Sequence, residues 1–193
     1  MTKGSKYTDT ELLKLISEDE KSFNFAFDEI YTRYSKLVFS YCQGMMKSRF
    51  TAEDVFQEVF TGFFINVRNE SDIESIPAYL ISIARNLCLK QIRDSKIKVP
   101  IDNNFLINDE RSQAEKNNLF ELLQRALSVL DLKYREVFIL REFEGMSFDE
   151  ISIICNITQE GVRTRLFRAH NFIKEILEPY IVDLQPEKKY KEA

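Results

Sequence analysis

The chain has 193 residues, 44% of them hydrophobic, with 27 basic and 31 acidic side chains for a formal charge of -4. That length suits one large or two small domains with a real core, and the charge excludes a protein held on nucleic acid by net attraction alone. Five glycines, four prolines and no alternating Val/Thr runs predict an all-α fold.

The N-terminal stretch MTKGSKYTDTELLK has no apolar segment behind its basic residues, so no signal peptide is expected. A short helix follows, with Thr8 or Asp9 as its cap and Leu12, Leu13 and Ile16 inward. Phe23, Phe27, Ile30, Tyr34, Val38 and Tyr41 recur at steps of three and four and form one stripe of a longer helix. In TAEDVFQEVFTGFF, Thr51 and Asp54 are spaced for a capping box, and Val55, Phe56, Val59, Phe60 and Phe63 make the apolar side. The longest apolar stretches, such as VFTGFFINV, are too short and interrupted to span a bilayer. Beyond the polar loop NESDIES, Ser75 followed by Pro77 signals a helix running to about Asp94, with Leu80, Ile83, Ala84 and Leu87 inward.

Residues 95–116 carry a proline, few aromatics and mixed charge, and are expected to be a flexible linker. Helical periodicity resumes near Asn117, with Leu119, Leu122, Leu123, Ala126, Leu127 and Leu130 on one face. Asp131 can cap the next helix, which puts Val137, Phe138 and Leu140 inside, and Gly145 suits its left-handed stop. The layout expected is therefore two small helical domains, 8–94 and 117–180, joined by the linker and followed by a frayed tail, 181–193.

GMSFDEISIICNITQEGVRTRLFRAH reads as a helix–turn–helix. Ser147 and Glu150 form a capping box, Ile151 and Ile154 point inward, and Asn156 takes the tight turn in a left-handed conformation. Ile157 plugs the angle, Thr158 caps the second helix, and Val162, Leu166, Ala169 and Ile173 pack back on the first. That leaves Gln159, Glu160, Arg163, Thr164, Phe167 and Arg168 on the outer face, where such a helix meets base edges and phosphates. One recognition helix in an acidic chain neutralises few phosphates, so a partner or a second contact must supply affinity.

Cys42, Cys88 and Cys155 each fall within a helical apolar pattern and are expected as buried thiols in a reducing cytoplasm. With no C-x-x-C pair and His170 as the one histidine, neither a metal site, a cofactor nor cysteine–histidine catalysis is expected. The acidic pairs Glu142/Glu144 and Asp149/Glu150 have local work as helix-end charges and caps, so no enzyme activity or small-molecule substrate is expected.

Four stretches in order resemble the extracytoplasmic-function (ECF) type of RNA polymerase sigma factor, of the sigma-70 family. FDEIYTRYSKLVFSYC is similar to the family's opening helix and TAEDVFQEVFTGFF to its polymerase-binding helix. PAYLISIARNLCLKQIRD is similar to the promoter-opening helix, and REVFILREFEGMSFDEISIICNITQEGVRTRLFRA to the domain that reads the upstream element. The resemblance covers roughly residues 10 to 178. It implies that Asp54, Gln57 and Glu58 dock the clamp helices of the largest subunit of core RNA polymerase. It implies that Tyr79, Ser82, Asn86, Lys90 and Arg93, with the loop Asn69 to Ser75, capture the melted downstream (-10) element. An aromatic, an amide and cations on one face suit that task, since a base can stack while phosphates are held. Gln159 to Arg168 would read the upstream (-35) element of promoter DNA, and a membrane-anchored anti-sigma factor is implied as regulator.

Some positions depart from the family. Tyr79 stands where Trp is frequent, Ser82 and Lys90 differ in charge from the usual residues, and Asp131 takes the place of a usual proline. The promoter sequence therefore cannot be transferred from a relative. An autonomous helix–turn–helix regulator would need an α/β or ligand-binding domain upstream, and residues 1–100 show neither alternating strands nor a phosphate loop. A helical protein-binding adaptor would have no need of arginines on the last helix.

Overall fold

The computed structural model describes residues 7–46, 48–69, 73–98 and 119–184, which form helices without a strand. The expected linker falls almost wholly outside these residues, as does most of the tail.

Helix α1 (Asp9–Ile16) starts at a complete capping box, in which Thr8 N–H donates to Glu11 at 2.6 Å and the Thr8 hydroxyl accepts the Glu11 amide at 3.3 Å. Leu12 and Ile16 are buried against α2 (Glu20–Met45). Arg33 of α2 pins this small helix, its Nη1 on Asp9 at 2.6 Å and its Nη2 on the Tyr7 carbonyl at 2.9 Å and on Glu29 at 3.2 Å. Tyr34 donates to the same Asp9, and burial first, then that carboxylate, pushes its phenol up to about 12. The α2 stripe forms as expected: Phe23, Ile30, Val38 and Tyr41 are buried and Phe27 and Tyr34 half-buried.

Helix α3 (Arg49–Asn66) differs at its start. The chain turns helical two residues before Thr51, behind an N-cap at Ser48 that makes no side-chain bond. Thr51 therefore already has helical backbone, and the expected Thr51–Asp54 capping box does not form. Instead Arg49 bonds Glu53 one turn on, at 2.9 Å. After a 3₁₀ turn at Val67–Asn69, α4 (Ile76–Lys98) opens with the Ser75 hydroxyl accepting the Ala78 amide and Pro77 in the first turn. Its inner face is Ile76, Leu80, Ile81, Ala84 and Cys88, with Ile83 and Leu87 half-buried, so it is rotated from the face expected. It also continues past Asp94 to Lys98. Helices α2, α3 and α4 pack on one another around linked aromatic rings, among them Tyr31 and Phe60 at 4.7 Å and Phe27 and Phe64 at 5.2 Å.

The second unit comprises α5 (Leu119–Val129), α6 (Leu132–Phe138), a π turn (Ile139–Phe143), α7 (Phe148–Cys155) and α8 (Gln159–Leu184). Asp131 sits at the α6 N-cap without a capping hydrogen bond; its carboxylate pairs with Lys133 at 3.4 Å. Closure between α5 and α6 comes from Arg135, whose Nη2 donates to the carbonyls of Ser128 (2.9 Å) and Leu130 (3.0 Å). A guanidinium there satisfies carbonyls that a helix end leaves free and faces the negative end of the helix dipole. Gly145 (φ 67) ends the π turn in the left-handed region, as its position predicts.

One element belongs to both units. Arg135, Glu136, Val137, Phe138, Ile139 and Leu140 are six consecutive buried residues, which a helix with a single partner cannot produce. Helix α6 packs on α8 on one side, and on the other it and the π turn meet α2, while α4 meets α7. Buried residues of the two units thus join in one core cluster. At this seam Glu136, 3% exposed, accepts Arg85 Nε at 2.7 Å and Tyr41 Oη at 3.2 Å. Gly44 lies so near Ile139 that a Cβ there would stand 2.8 Å from its Cδ1. The three cysteines are free and buried, as expected, and gather here. Cys42 and Cys88 share a hydrogen bond that, ahead of burial, drives the Cys88 thiol far up, while burial first and Glu136 second push Cys155 up to about 12.

Candidate nucleic-acid interface

The helix–turn–helix is built as its sequence dictates. Ser147 N–H donates to Glu150 at 2.8 Å and the Ser147 hydroxyl accepts the Glu150 amide at 3.2 Å, completing the capping box of α7. Asn156 takes φ 52 and ψ 55, the left-handed corner that lets α8 leave at a steep angle. Thr158 then caps α8 by accepting the Gly161 amide at 3.1 Å. Val162, Leu166, Ala169 and Ile173 are buried, which fixes the rotation of α8.

That rotation leaves Gln159, Glu160, Arg163, Thr164, Phe167 and Arg168 exposed, with Phe167 65% so. Their side chains are not equally free. Gln159 Nε2 donates to Asp149 Oδ1 at 3.1 Å, tying the start of α8 to α7. Arg163 lies over the Phe148 ring at 5.3 Å, within 3.6 Å of Glu160. Arg168 donates to the Tyr134 hydroxyl at 3.0 Å, and that bond comes first among the causes that lower the phenol's pKa. Two groups that sequence reasoning missed extend this face. Arg141 covers the same Phe148 ring at 4.8 Å, and Lys133 covers the Tyr134 ring at 4.9 Å. Each aromatic ring thus fixes two cations near the recognition helix, a preorganisation that cation–π attraction supplies at a fraction of a kcal/mol to about 2. The signal for them lay three-dimensionally across α6, α7 and α8, beyond the reach of local spacing.

The second predicted set lies along one side of α4. Asn86, Lys90 and Arg93 are exposed, Arg93 within 3.5 Å of Asp94. Tyr79 and Ser82 are half-buried: the Tyr79 ring stands 6.0 Å from Phe63, and the Ser82 hydroxyl donates back to the Ala78 carbonyl at 2.9 Å. Part of the loop expected to act with them, residues 70–72, lies outside the described residues. On α3, Asp54, Gln57 and Glu58 are exposed together. Phe50 (73% exposed) and Ile65 (63%) lie on the same side near either end, two apolar groups that sequence reasoning passed over. Helical steps of three and four from Phe50 through Asp54, Glu58 and Thr61 to Ile65 could have marked them.

No group of histidine, cysteine and acidic side chains among the described residues could hold a metal ion, and no helix of theirs is long and apolar enough to cross a membrane. A helix–turn–helix with fixed cations, carried beside a second helical unit with a cationic and aromatic face, defines a bipartite all-helical protein of the DNA-binding class. Residues 30–97 match sigma-70 region 2 and residues 120–171 match sigma-70 region 4, together more than half of the chain. The chain belongs to the sigma-70 family of RNA polymerase sigma factors, in its ECF type, and it directs transcription initiation.

Among curated relatives, the ECF RNA polymerase sigma factor SigM of Bacillus subtilis is 29% identical over 153 residues, covering 77% of this chain and 93% of the relative. SigW of the same organism is 26% identical over 181 residues, covering 85% and 95%. The fold is that of the sigma factor RpoE of Bartonella quintana, solved with the anti-sigma factor NepR (TM-score 0.67, 21% identity, 79% of this chain and 96% of that one). It is also that of CnrH, solved with the cytosolic domain of CnrY (TM-score 0.65, 19% identity, 87% and 95%).

Proposed function

We propose that the two units divide the work of promoter recognition. The α3 face of Asp54, Gln57 and Glu58 docks the clamp helices of the polymerase's largest subunit, and the exposed Phe50 and Ile65 flank that acidic centre. An acidic strip between apolar ends suits a basic, amphipathic partner helix. The α4 face of Tyr79, Ser82, Asn86, Lys90 and Arg93 holds the melted downstream strand. Asn86, Lys90 and Arg93 offer an amide and cations for edges and phosphates, and Tyr79 presents part of its ring to a base. The α8 face of Gln159, Glu160, Arg163, Thr164, Phe167 and Arg168 reads the upstream element as duplex. Phe167 is an apolar group suited to a thymine methyl, and Arg163 a fork suited to guanine.

The observation that carries this reading is the pairing of two exposed nucleic-acid faces on separate helical units in a chain of charge -4. Neither face has charge enough to hold DNA alone; tethered on polymerase, each raises the effective concentration of the other. The protein works in the cytoplasm without catalysis of its own. Because RpoE was solved with the anti-sigma factor NepR and CnrH with the cytosolic domain of CnrY, a membrane-anchored anti-sigma factor is proposed here as the regulator.

The test is run-off transcription with bacterial core polymerase on fragments of the source genome, followed by sequencing of the start sites. The expected result is a set of starts sharing two short elements at fixed spacing. Starts that share no upstream element, or none above those of core polymerase alone, would refute the division of labour.

A further inference from the structure

We propose that Gly62 opens a notch at the edge of the α4 face, and that the notch admits one unstacked base of the melted downstream strand. The inference rests on the α4 reading above and deepens it. It gives α3, whose outer side is proposed for polymerase, a second contact with DNA.

A glycine in mid-helix needs a reason, since it is the poorest helix former after proline. The other described glycines have one. Gly145 takes φ 67, a Cβ on Gly44 would stand 2.8 Å from Ile139 Cδ1, and one on Gly161 would stand 3.3 Å from the Thr158 hydroxyl that caps α8. Gly62 has neither a left-handed backbone nor a crowded neighbour. A Cβ there would meet Ile83 Cγ2 of α4 at 3.8 Å, an ordinary contact, and, its chain neighbours apart, no other described side chain within 4 Å. Helices α3 and α4 therefore do not need glycine in order to approach each other. Gly62 is itself only half-buried, so the space its side chain would take is open to the outside.

Helical geometry places that space. Gly62 lies one turn beyond Glu58 on α3, and Ile83 lies between Tyr79 and Asn86, about one turn from each, on α4. Tyr79 and Ile83 are half-buried and Asn86 is exposed, so the notch opens beside the ring and the amide of the face proposed for DNA. Asn66, one turn further along α3, does not fill it, because its amide folds back on the Gly62 carbonyl at 2.8 Å. Of the two macromolecules that would meet near this edge, nucleic acid fits better. An aliphatic side chain beside bare helix backbone suits the flat face of a base, and the Tyr79 ring, 6.0 Å from Phe63, stands next to it. Lys90 follows Asn86 by one more turn and is exposed, within reach of a phosphate on the same strand. A basic polymerase side chain can pair with Glu58 from the outer side of α3 without any gap at position 62.

Two variants and one modified DNA test this. Gly62→Ala and Gly62→Leu each bring in a better helix former, so each should raise the melting temperature, by about 2–4 °C. Binding to core polymerase should be unchanged. The DNA is a fork built on a promoter found by run-off transcription, with its downstream element single-stranded. The Gly62→Leu holoenzyme should bind it about tenfold more weakly, the scale of one lost base contact, and Gly62→Ala should lose less. Abasic sites are then placed at each position of that strand in turn. At one position the abasic site should weaken unaltered holoenzyme about tenfold and leave Gly62→Leu holoenzyme as it was, since both changes remove the same contact. Weaker binding of Gly62→Leu to core polymerase would put a polymerase side chain in the notch. A lower melting temperature would mean that the fold itself needs the glycine. Fork binding equal to that of unaltered protein would mean that the notch is empty, and abasic losses that add to the leucine loss at every position would mean that no base enters it. Each of these four results overturns the proposal. Tyr79→Ala and Lys90→Ala separate it from the reading it rests on. If they weaken fork binding while Gly62→Leu does not, the notch alone fails; if they too are without effect, the α4 reading falls and the notch with it.

Discussion

At the scale of single residues, the two exposed arginines of the recognition face are held differently and should behave differently. Arg163 rests on the Phe148 ring about one turn into α8, within 3.6 Å of Glu160, on the exposed side proposed to meet base edges. Arg168 is anchored on the Tyr134 hydroxyl beside Lys133, and this pair of cations is the one proposed for the sugar–phosphate backbone. Arg163→Ala should cost about 1–3 kcal/mol and relax preference at one position of the upstream element. Arg168→Ala should weaken all promoters alike and reduce the salt slope by about one. Holoenzyme binding across a promoter library at two salt concentrations separates the two outcomes; identical profiles would mean that only one role is filled. The outward arginines were legible because helical spacing alone decides which side of α8 faces away from the core. Arg135 and Glu136 were not: both sit inside a charged-looking segment, DLKYRE, and their burial depends on what α6 meets on its second side.

Among the elements, the helix–turn–helix is where local sequence and structure agree most closely. Its capping box, left-handed corner and second cap are each set by a residue whose chemistry admits few alternatives. The corner gives a sharp test. With Asn156 at φ 52, Asn156→Ile should lower stability by about 1–2 kcal/mol, the strain of a branched side chain in that region, whereas Asn156→Gly should be nearly neutral. Thermal denaturation of the two variants measures it, and equal loss in both would point to the asparagine side chain rather than the backbone. Helix α3 shows the opposite case. Thr51 and Asp54 had the spacing of a cap, but spacing cannot say where a helix begins when Arg49 and Glu53 favour an earlier start. The rotation of α4 was likewise misjudged, because its inner face serves α2 and α3 at once and is wider than one stripe.

For the whole molecule, an acidic protein with the two proposed nucleic-acid faces should be a poor DNA-binding protein by itself. Free protein is expected to shift promoter duplex weakly and without selectivity at physiological salt, while holoenzyme binds it tightly, since affinity comes from sites joined on the polymerase. Tight, sequence-specific gel-shift binding by the isolated chain would contradict this. Among the described residues the all-helical fold could be read from periodicity, though not the π turn at Ile139–Phe143. The seam could not, because residues brought together across it are far apart in sequence: Glu136 lies 51 positions from Arg85 and 95 from Tyr41.

Sulfur happens to lie on both sides of that seam. Cys88 and Cys42 belong to the first unit and Cys155 to the second, all three buried, with the Cys88 and Cys155 thiols held above the usual range. An electrophile in solution can therefore react with Cys155 only when the packing around α7 opens, and its labelling rate becomes a readout of how often it does. The protein carries its own probe, and the exposure of one thiol can be followed with polymerase, promoter or an inhibitor present, without any engineered dye.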